Sequence, residues 1–136
     1  MRVSVVIPSG NGRHLLPECL DALRAQSYRD FEVVVVDNAS TDGTPELVRS
    51  RYPEVRLIEL GFDGAFARAV NAGIRATGSE IVVLLNNDTA PEPEWLAELV
   101  AALDAAPDAG MAASKMLLWD RHALGQDAAA DGRRAR

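Results

Sequence analysis

Three polar clusters, each directly behind an aliphatic run, carry the side chains best suited to chemistry. They are Pro8-Ser9-Gly10-Asn11, Asp37-Asn38 and Asn86-Asn87-Asp88. A carboxylate leaving a strand end, as Asp88 does, can hold a hard cation such as Mg2+ or Mn2+ through oxygen. Such a cation offsets the charge of a diphosphate leaving group. Asp88 can equally cap the Thr89–Trp95 turn, a common use of Asp. Asp37 offers an acceptor for an imide N–H or a ribose hydroxyl, or for a local Asx-turn into the Asn38–Gly43 loop. Asp42-Gly43 reads as turn, because glycine tolerates positive φ.

Nucleophilic chemistry has little support. His14 and His122 are the only histidines, and His14 at the start of a helix suits a capping or surface position. Ser40 has no recognisable base partner. Cys19 lies among Leu16, Leu20 and Leu23 at helical spacing and reads as a packing residue, since a buried thiol behaves as a small apolar group.

The elements that must position these residues alternate in type. Val3–Ile7, Phe31–Val36, Val55–Leu60 and Ile81–Leu85 read as strands, and Gly110–Leu118 as a candidate further one. Strands apolar at nearly every position belong to parallel sheets covered on both faces. Between them lie helical patterns: Leu15, Leu16, Cys19, Leu20 and Leu23; Thr44 to Tyr52, with Thr44 as N-cap and Pro45 at the first helical position; Phe66 to Ala76; and Trp95, Leu96, Leu99, Val100 and Leu103. The predicted class is α/β, a three-layer α/β/α domain with a mostly parallel sheet. In such sheets ligands sit beyond the carboxyl ends of the strands, where strand order switches, and all three polar clusters fall at such ends. The domain is expected over 1–118. Residues 119–136 lack periodicity and read as an irregular tail.

Composition narrows the function classes. The chain has 136 residues, 48% of them apolar and 25% charged, which fits one soluble domain. A net charge of −6 argues against nucleic acid as partner. A polyphosphate ligand would then need a local device. The single cysteine rules out a disulfide within the chain and suits a reducing cytoplasmic compartment. Neither a signal peptide nor a run of about 18 apolar residues is visible. Peripheral association with the inner face of the cytoplasmic membrane stays compatible with this, as does homo-oligomerisation through an exposed edge strand.

The segments VSVVIPSGNG, VVVVDNASTDGT, AVNAGIRATGSEIVVLLNNDT and PEPEWL resemble, in order and spacing, the family-2 glycosyltransferases over residues 1 to about 118. The closest flavour is that of bacterial rhamnosyl- and galactofuranosyl-type enzymes with an Asn-rich metal motif. The resemblance implies a GT-A fold, Rossmann-like in its nucleotide-binding half. It implies inverting transfer from a nucleoside-diphosphate sugar, of UDP or dTDP type, to a carbohydrate or lipid-linked acceptor in polysaccharide biosynthesis. It places Asp37 on the base-reading Asp, and Asn86 and Asp88 on the outer positions of an Asp-x-Asp motif. The last of these positions binds Mg2+ or Mn2+ and the first lies near the ribose. Pro8, Ser9 and Asn11 match the loop lining the nucleoside, and Asn71 and Gly73 an Asn-x-Gly element near the nucleotide.

Departures from the family pattern matter as much. Asn86 replaces the first Asp, leaving one protein carboxylate for the metal. Gly10 stands where an aromatic residue is common. The catalytic base of the family lies in a downstream acceptor-binding segment, and nothing after Leu118 resembles it; Asp120 and Asp127 are poor candidates. The portion in hand is therefore expected to bind nucleotide and metal while turning over poorly alone. A catalytically silent nucleotide-sugar-binding module or remnant is the alternative. An NAD-binding oxidoreductase fits less well, because a third fingerprint glycine would fall at Leu15 and Pro8 interrupts the approach.

Overall fold

The computed structural model describes residues 1–118. It divides into two compact units, Met1–Pro93 and a second beginning at Glu94.

The first unit is built on four strands: β1 (Val3–Ser9), β2 (Phe31–Asp37), β3 (Arg56–Glu59) and β4 (Ile81–Leu84). They form one sheet in the order β3-β2-β1-β4, and every pairing is parallel. Parallel neighbours need crossovers, supplied by α1 (Leu16–Arg24), α2 (Thr44–Arg51) and α3 (Ala65–Ala76). The chain runs outward from β1 through β2 to β3, then returns across the sheet to β4. With right-handed crossovers, α1 and α2 lie on one face and α3 on the other. The central strands are thus covered on both sides, whereas β4 at the edge is only partly covered and its Leu84 is 51% exposed.

Side-chain alternation shows how the layers are filled. Val6, Val34 and Val36 point to the α3 side and form a buried cluster with Ala69, flanked by Ile58, Leu60, Ala72 and Val82. Val5, Ile7 and Val35 are the alternate set and are fully buried too. On the α1 side, Leu16, Cys19, Leu20 and Leu23 are the buried stripe of α1. Tyr52, at the end of α2, is fully buried. Its hydroxyl donates to Asp21 Oδ1 at 3.0 Å and to the Pro17 carbonyl at 3.2 Å, tying α2 to α1.

Gly73 sets the spacing of α3 from the sheet. A Cβ there would lie 2.3 Å from Val6 Cγ1 and 3.0 Å from Val36 Cγ2. The helix therefore sits closer to the strands than any other residue at this position would allow.

Two expectations are corrected. Thr44 is not the N-cap of α2: Gly43 holds that position at φ 83°, and Thr44 is the first helical residue. The turn demands a left-handed residue, which glycine supplies, and the orphan Thr44 N–H is taken by Asp42 Oδ1 at 3.1 Å. The expected strand over Gly110–Leu118 does not form; these residues have no regular structure. Met111, Met116 and Leu118 are largely exposed. An extended segment becomes a strand only when a partner takes its backbone hydrogen bonds, and apolar content does not provide one. The tail read over 119–136, with Asp120, His122 and Asp127, lies outside the described residues.

The second unit contains one helix among the described residues, α4 (Trp95–Ala105), with Leu96 and Val100 buried. It ends just before Pro107, as a helix must. Among the described residues no helix is long and apolar enough to cross a membrane.

Candidate nucleotide site

In the order β3-β2-β1-β4 the strand order switches between β1 and β4. The crevice beyond the carboxyl ends of those two strands is where an open parallel sheet receives a ligand. Ser9 ends β1, Asp37 ends β2, and the two are register partners. Asn86-Asn87-Asp88 follows β4, after Leu85 has donated its N–H to the Val6 carbonyl at 3.0 Å. Asn87 Nδ2 donates to Ser9 Oγ at 3.0 Å. The three clusters therefore meet on one rim. A cavity of about 300 Å3 bordered by Met1, Phe31, Glu32 and Val33 lies at the strand starts, the opposite end of the sheet, and is not part of this rim.

Asp37 is 3% exposed. Its Oδ2 accepts the Ser40 N–H at 3.1 Å, so the local turn expected of an Asp is present. Its Oδ1 is buried with no hydrogen-bond partner among the described residues. A buried acceptor left unpaired costs about 1–3 kcal/mol, a cost that a donor from outside the described residues would relieve.

Asp88 is exposed and, among the described residues, makes no hydrogen bond or ion pair. The turn-capping alternative is not realised by its side chain. The turn is closed instead by Thr89 Oγ1, which donates to the Asn86 carbonyl at 2.7 Å. No group of three or more His, Cys, Asp or Glu among the described residues could hold an ion unaided. The donor set nevertheless fits a hard cation in one way. Asp88 supplies one carboxylate, and the phosphate oxygens of a ligand and water supply the rest.

The loops behind the rim are tightly tied. Asn11, at φ 48°, donates its N–H to Ser40 Oγ at 2.8 Å, and its Oδ1 accepts the Thr41 N–H at 2.9 Å. Asn11, expected to line the nucleoside, thus has its side-chain acceptor committed to the β2–α2 loop. Asp42 Oδ2 accepts the Arg13 N–H at 3.0 Å. Burial pushes the Asp42 carboxyl up, but hydrogen bonds from Thr44 and Arg13 outweigh it and hold it below the usual carboxylate value. On the other flank, Asn38 Nδ2 donates to Asp63 Oδ1 at 3.0 Å and Asn38 Oδ1 accepts the Gly64 N–H at 2.7 Å. The β3–α3 loop is thereby fixed to the tip of β2.

The remaining expected residues are less central. Pro8 is half-buried within β1, beside Val36. Asn86 is exposed, and its carbonyl also accepts from Cys19 Sγ at 3.7 Å. Asn71 is exposed on α3 and, among the described residues, makes no hydrogen bond to the rim. Gly73 lies against mid-strand valines. Sequence patterns alone do not single out Asn87, Asn38 or Asp63 individually. The doubled Asn before Asp88 was a visible signal for the first; nothing in the spacing announced the Asn38–Asp63 clamp.

Comparison with known proteins follows the same outline. A family model described as Glycosyl transferase family 2 matches residues 4–116. Glycosyltransferase AglE of Haloferax volcanii is 37% identical over 107 residues, covering 74% of this chain and 35% of that protein. The crystal structure of S. aureus TarS 1–349 in complex with UDP-GlcNAc superposes with a TM-score of 0.73 at 25% identity, covering 85% of this chain and 37% of that one. Mannosyltransferase PcManGT from Pyrobaculum calidifontis, in complex with GDP-Man and Mn2+, superposes with a TM-score of 0.70 at 39% identity, covering 75% and 32%. The chain spans about a third of the length of each of these proteins.

Proposed function

Because the chain belongs to glycosyl transferase family 2, we propose that its rim is the donor site for a nucleoside-diphosphate sugar, with Asp37 reading the base and Asp88 holding a divalent cation. The observation that most supports this is the unpaired, buried Asp37 Oδ1 at the switch-point rim of a parallel sheet. A base N–H would supply the missing donor. Ser9, Pro8, Asn11 and Asn86 border the nucleoside and ribose in this reading. Gly73 contributes by letting α3 pack close against the sheet, and Asn71, exposed on the same helix, is assigned to the nucleotide.

The reaction is transfer of the sugar with inversion. An acceptor hydroxyl attacks the anomeric carbon as the bond to the diphosphate breaks, and a carboxylate takes the hydroxyl proton. A Mg2+ or Mn2+ ion at Asp88 would supply charge neutralisation for the departing diphosphate. Residues 1–118 bind and orient the donor; none of them is assigned the proton-accepting role. The acceptor is a carbohydrate or lipid-linked hydroxyl, met in the cytoplasm or at the inner face of the membrane.

The base is a pyrimidine, as in UDP or dTDP. The GDP-Man bound by the mannosyltransferase relative favours testing guanine beside it, because a carboxylate accepts from the guanine N–H edge as readily. Thermal-shift screening against UDP, dTDP and GDP, each with and without Mn2+, tests the reading. Stabilisation by at least one nucleotide, enlarged by Mn2+, is expected; no shift with any of them refutes it.

A further inference from the structure

Resting on that reading of Asp88, we propose that Asn87 is a positioning residue, a strap across the switch point that holds the metal-bearing turn against the base-reading rim. The paired register of β1 and β4 ends at Val6 opposite Leu84; beyond it β1 continues to Ser9 beside β2, while the chain after β4 leaves the sheet. The last backbone bond between them is from Leu85 N–H to the Val6 carbonyl. Beyond it, the hydrogen bond from Asn87 Nδ2 to Ser9 Oγ spans the gap. Ser9 is itself 3% exposed and pairs in register with Asp37. The strap therefore links the turn carrying Asp88 to the residue beside Asp37.

The loop after β1 is shaped around this bond. A Cβ on Gly12 would fall 2.3 Å from Ser9 Oγ and 2.6 Å from Asn87 Nδ2, so only glycine can cover it. Gly12 cannot retreat, because its carbonyl accepts the Leu15 and Leu16 N–H groups that open α1, at 3.0 and 2.9 Å. The turn is pinned from its other side by the Asn86 carbonyl, which accepts from Thr89 Oγ1 and Cys19 Sγ. With Asn87 turned inward and half-buried, the flanking Asn86 and Asp88 side chains are left exposed. A lone carboxylate ligand gains most from such orientation, because no second protein ligand fixes the ion.

The test reads metal directly. Mn2+ binding is followed by its electron paramagnetic resonance signal in the presence of UDP, and UDP affinity without metal by calorimetry. Asn87→Ala should weaken the Mn2+-dependent component about 10- to 100-fold, the range typical of groups that orient metal ligands. Metal-free UDP affinity of Asn87→Ala should change less than about two-fold. Unchanged Mn2+ affinity in Asn87→Ala would overturn the proposal. So would parallel losses of metal-dependent and metal-free affinity, which mark a merely structural role. A parent chain that binds none of UDP, dTDP and GDP in either condition would overturn the donor-site reading and this inference with it.

Discussion

Ser9 and Asp37 stand side by side as the final register partners of β1 and β2, and they are the two most deeply buried polar residues of the rim. Ser9 Oγ accepts from Asn87, whereas Asp37 keeps one oxygen without a partner. In the proposed reading, the contrast separates a hydroxyl committed to holding two loops together from a carboxylate oxygen that a ligand would pair.

Replacing Asp37 by Asn keeps its size but removes its charge and converts one acceptor to a donor. A hydrogen bond to a charged group contributes about 1.5–3 kcal/mol, which corresponds to roughly 10- to 100-fold in affinity. Asp37→Asn should lose that much nucleotide affinity by calorimetry, with and without Mn2+. Unaltered affinity would leave the buried oxygen without a function.

Gly73→Ala should destabilise the fold despite improving helix propensity by about 1 kcal/mol. The new methyl would meet Val6 Cγ1 at 2.3 Å, in the sheet core, where a β-branched side chain has few alternative rotamers. Overpacking of this kind costs roughly 1–3 kcal/mol. Urea unfolding should show a lower midpoint; an equal or higher one would mean α3 can lift off the sheet freely.

Much of this was legible in the chain. Aliphatic strands such as Val3–Ile7 announce burial on both faces, and alternation with helical spacing announces a parallel sheet, so strand ends and the Asp37 and Asp88 positions could be read directly. The failures lie where a long-range partner decides. Gly110–Leu118 has strand composition but no ladder partner among the described residues. The start of α2 turned on Gly43 adopting positive φ, not on the capping preference of Thr44. The hydrogen bond between Asn11 and Thr41, thirty residues away, likewise leaves no local trace in the sequence.

Cys19 should behave as an inert packing residue. Burial is the main cause that pushes its thiol from 9.0 up to about 11; the nearby Asp88 charge adds to this and a Thr89 hydrogen bond opposes it. The neutral thiol dominates at physiological pH, so alkylation by iodoacetamide at pH 8 should be slow in the native chain and fast in urea. Because the folded value is raised, the stabilising contribution is complete below about 9 and is lost as pH climbs through about 11. Rapid native labelling would contradict the packing.

Asp42 titrates with the opposite sign. Its folded carboxyl lies below the ordinary 3.8, so its contribution is complete above 3.8 and disappears as pH falls through the lower folded value. Asp42→Asn should have a lower Tm than the parent at pH 7, and the gap should close on acidification below about 3.8. A gap independent of pH would mean that charge is not what secures the β2–α2 loop.

The central claim is that Asp37 and Asp88 act on different parts of one ligand. Calorimetric titration of parent, Asp37→Asn and Asp88→Ala with UDP, each with and without Mn2+, tests it most directly. Asp88→Ala should keep the metal-free affinity and lose the enhancement by Mn2+, while Asp37→Asn should lower both affinities and keep the enhancement. Mn2+ enhancement that survives in Asp88→Ala, or metal-free binding indifferent to Asp37, would contradict the account.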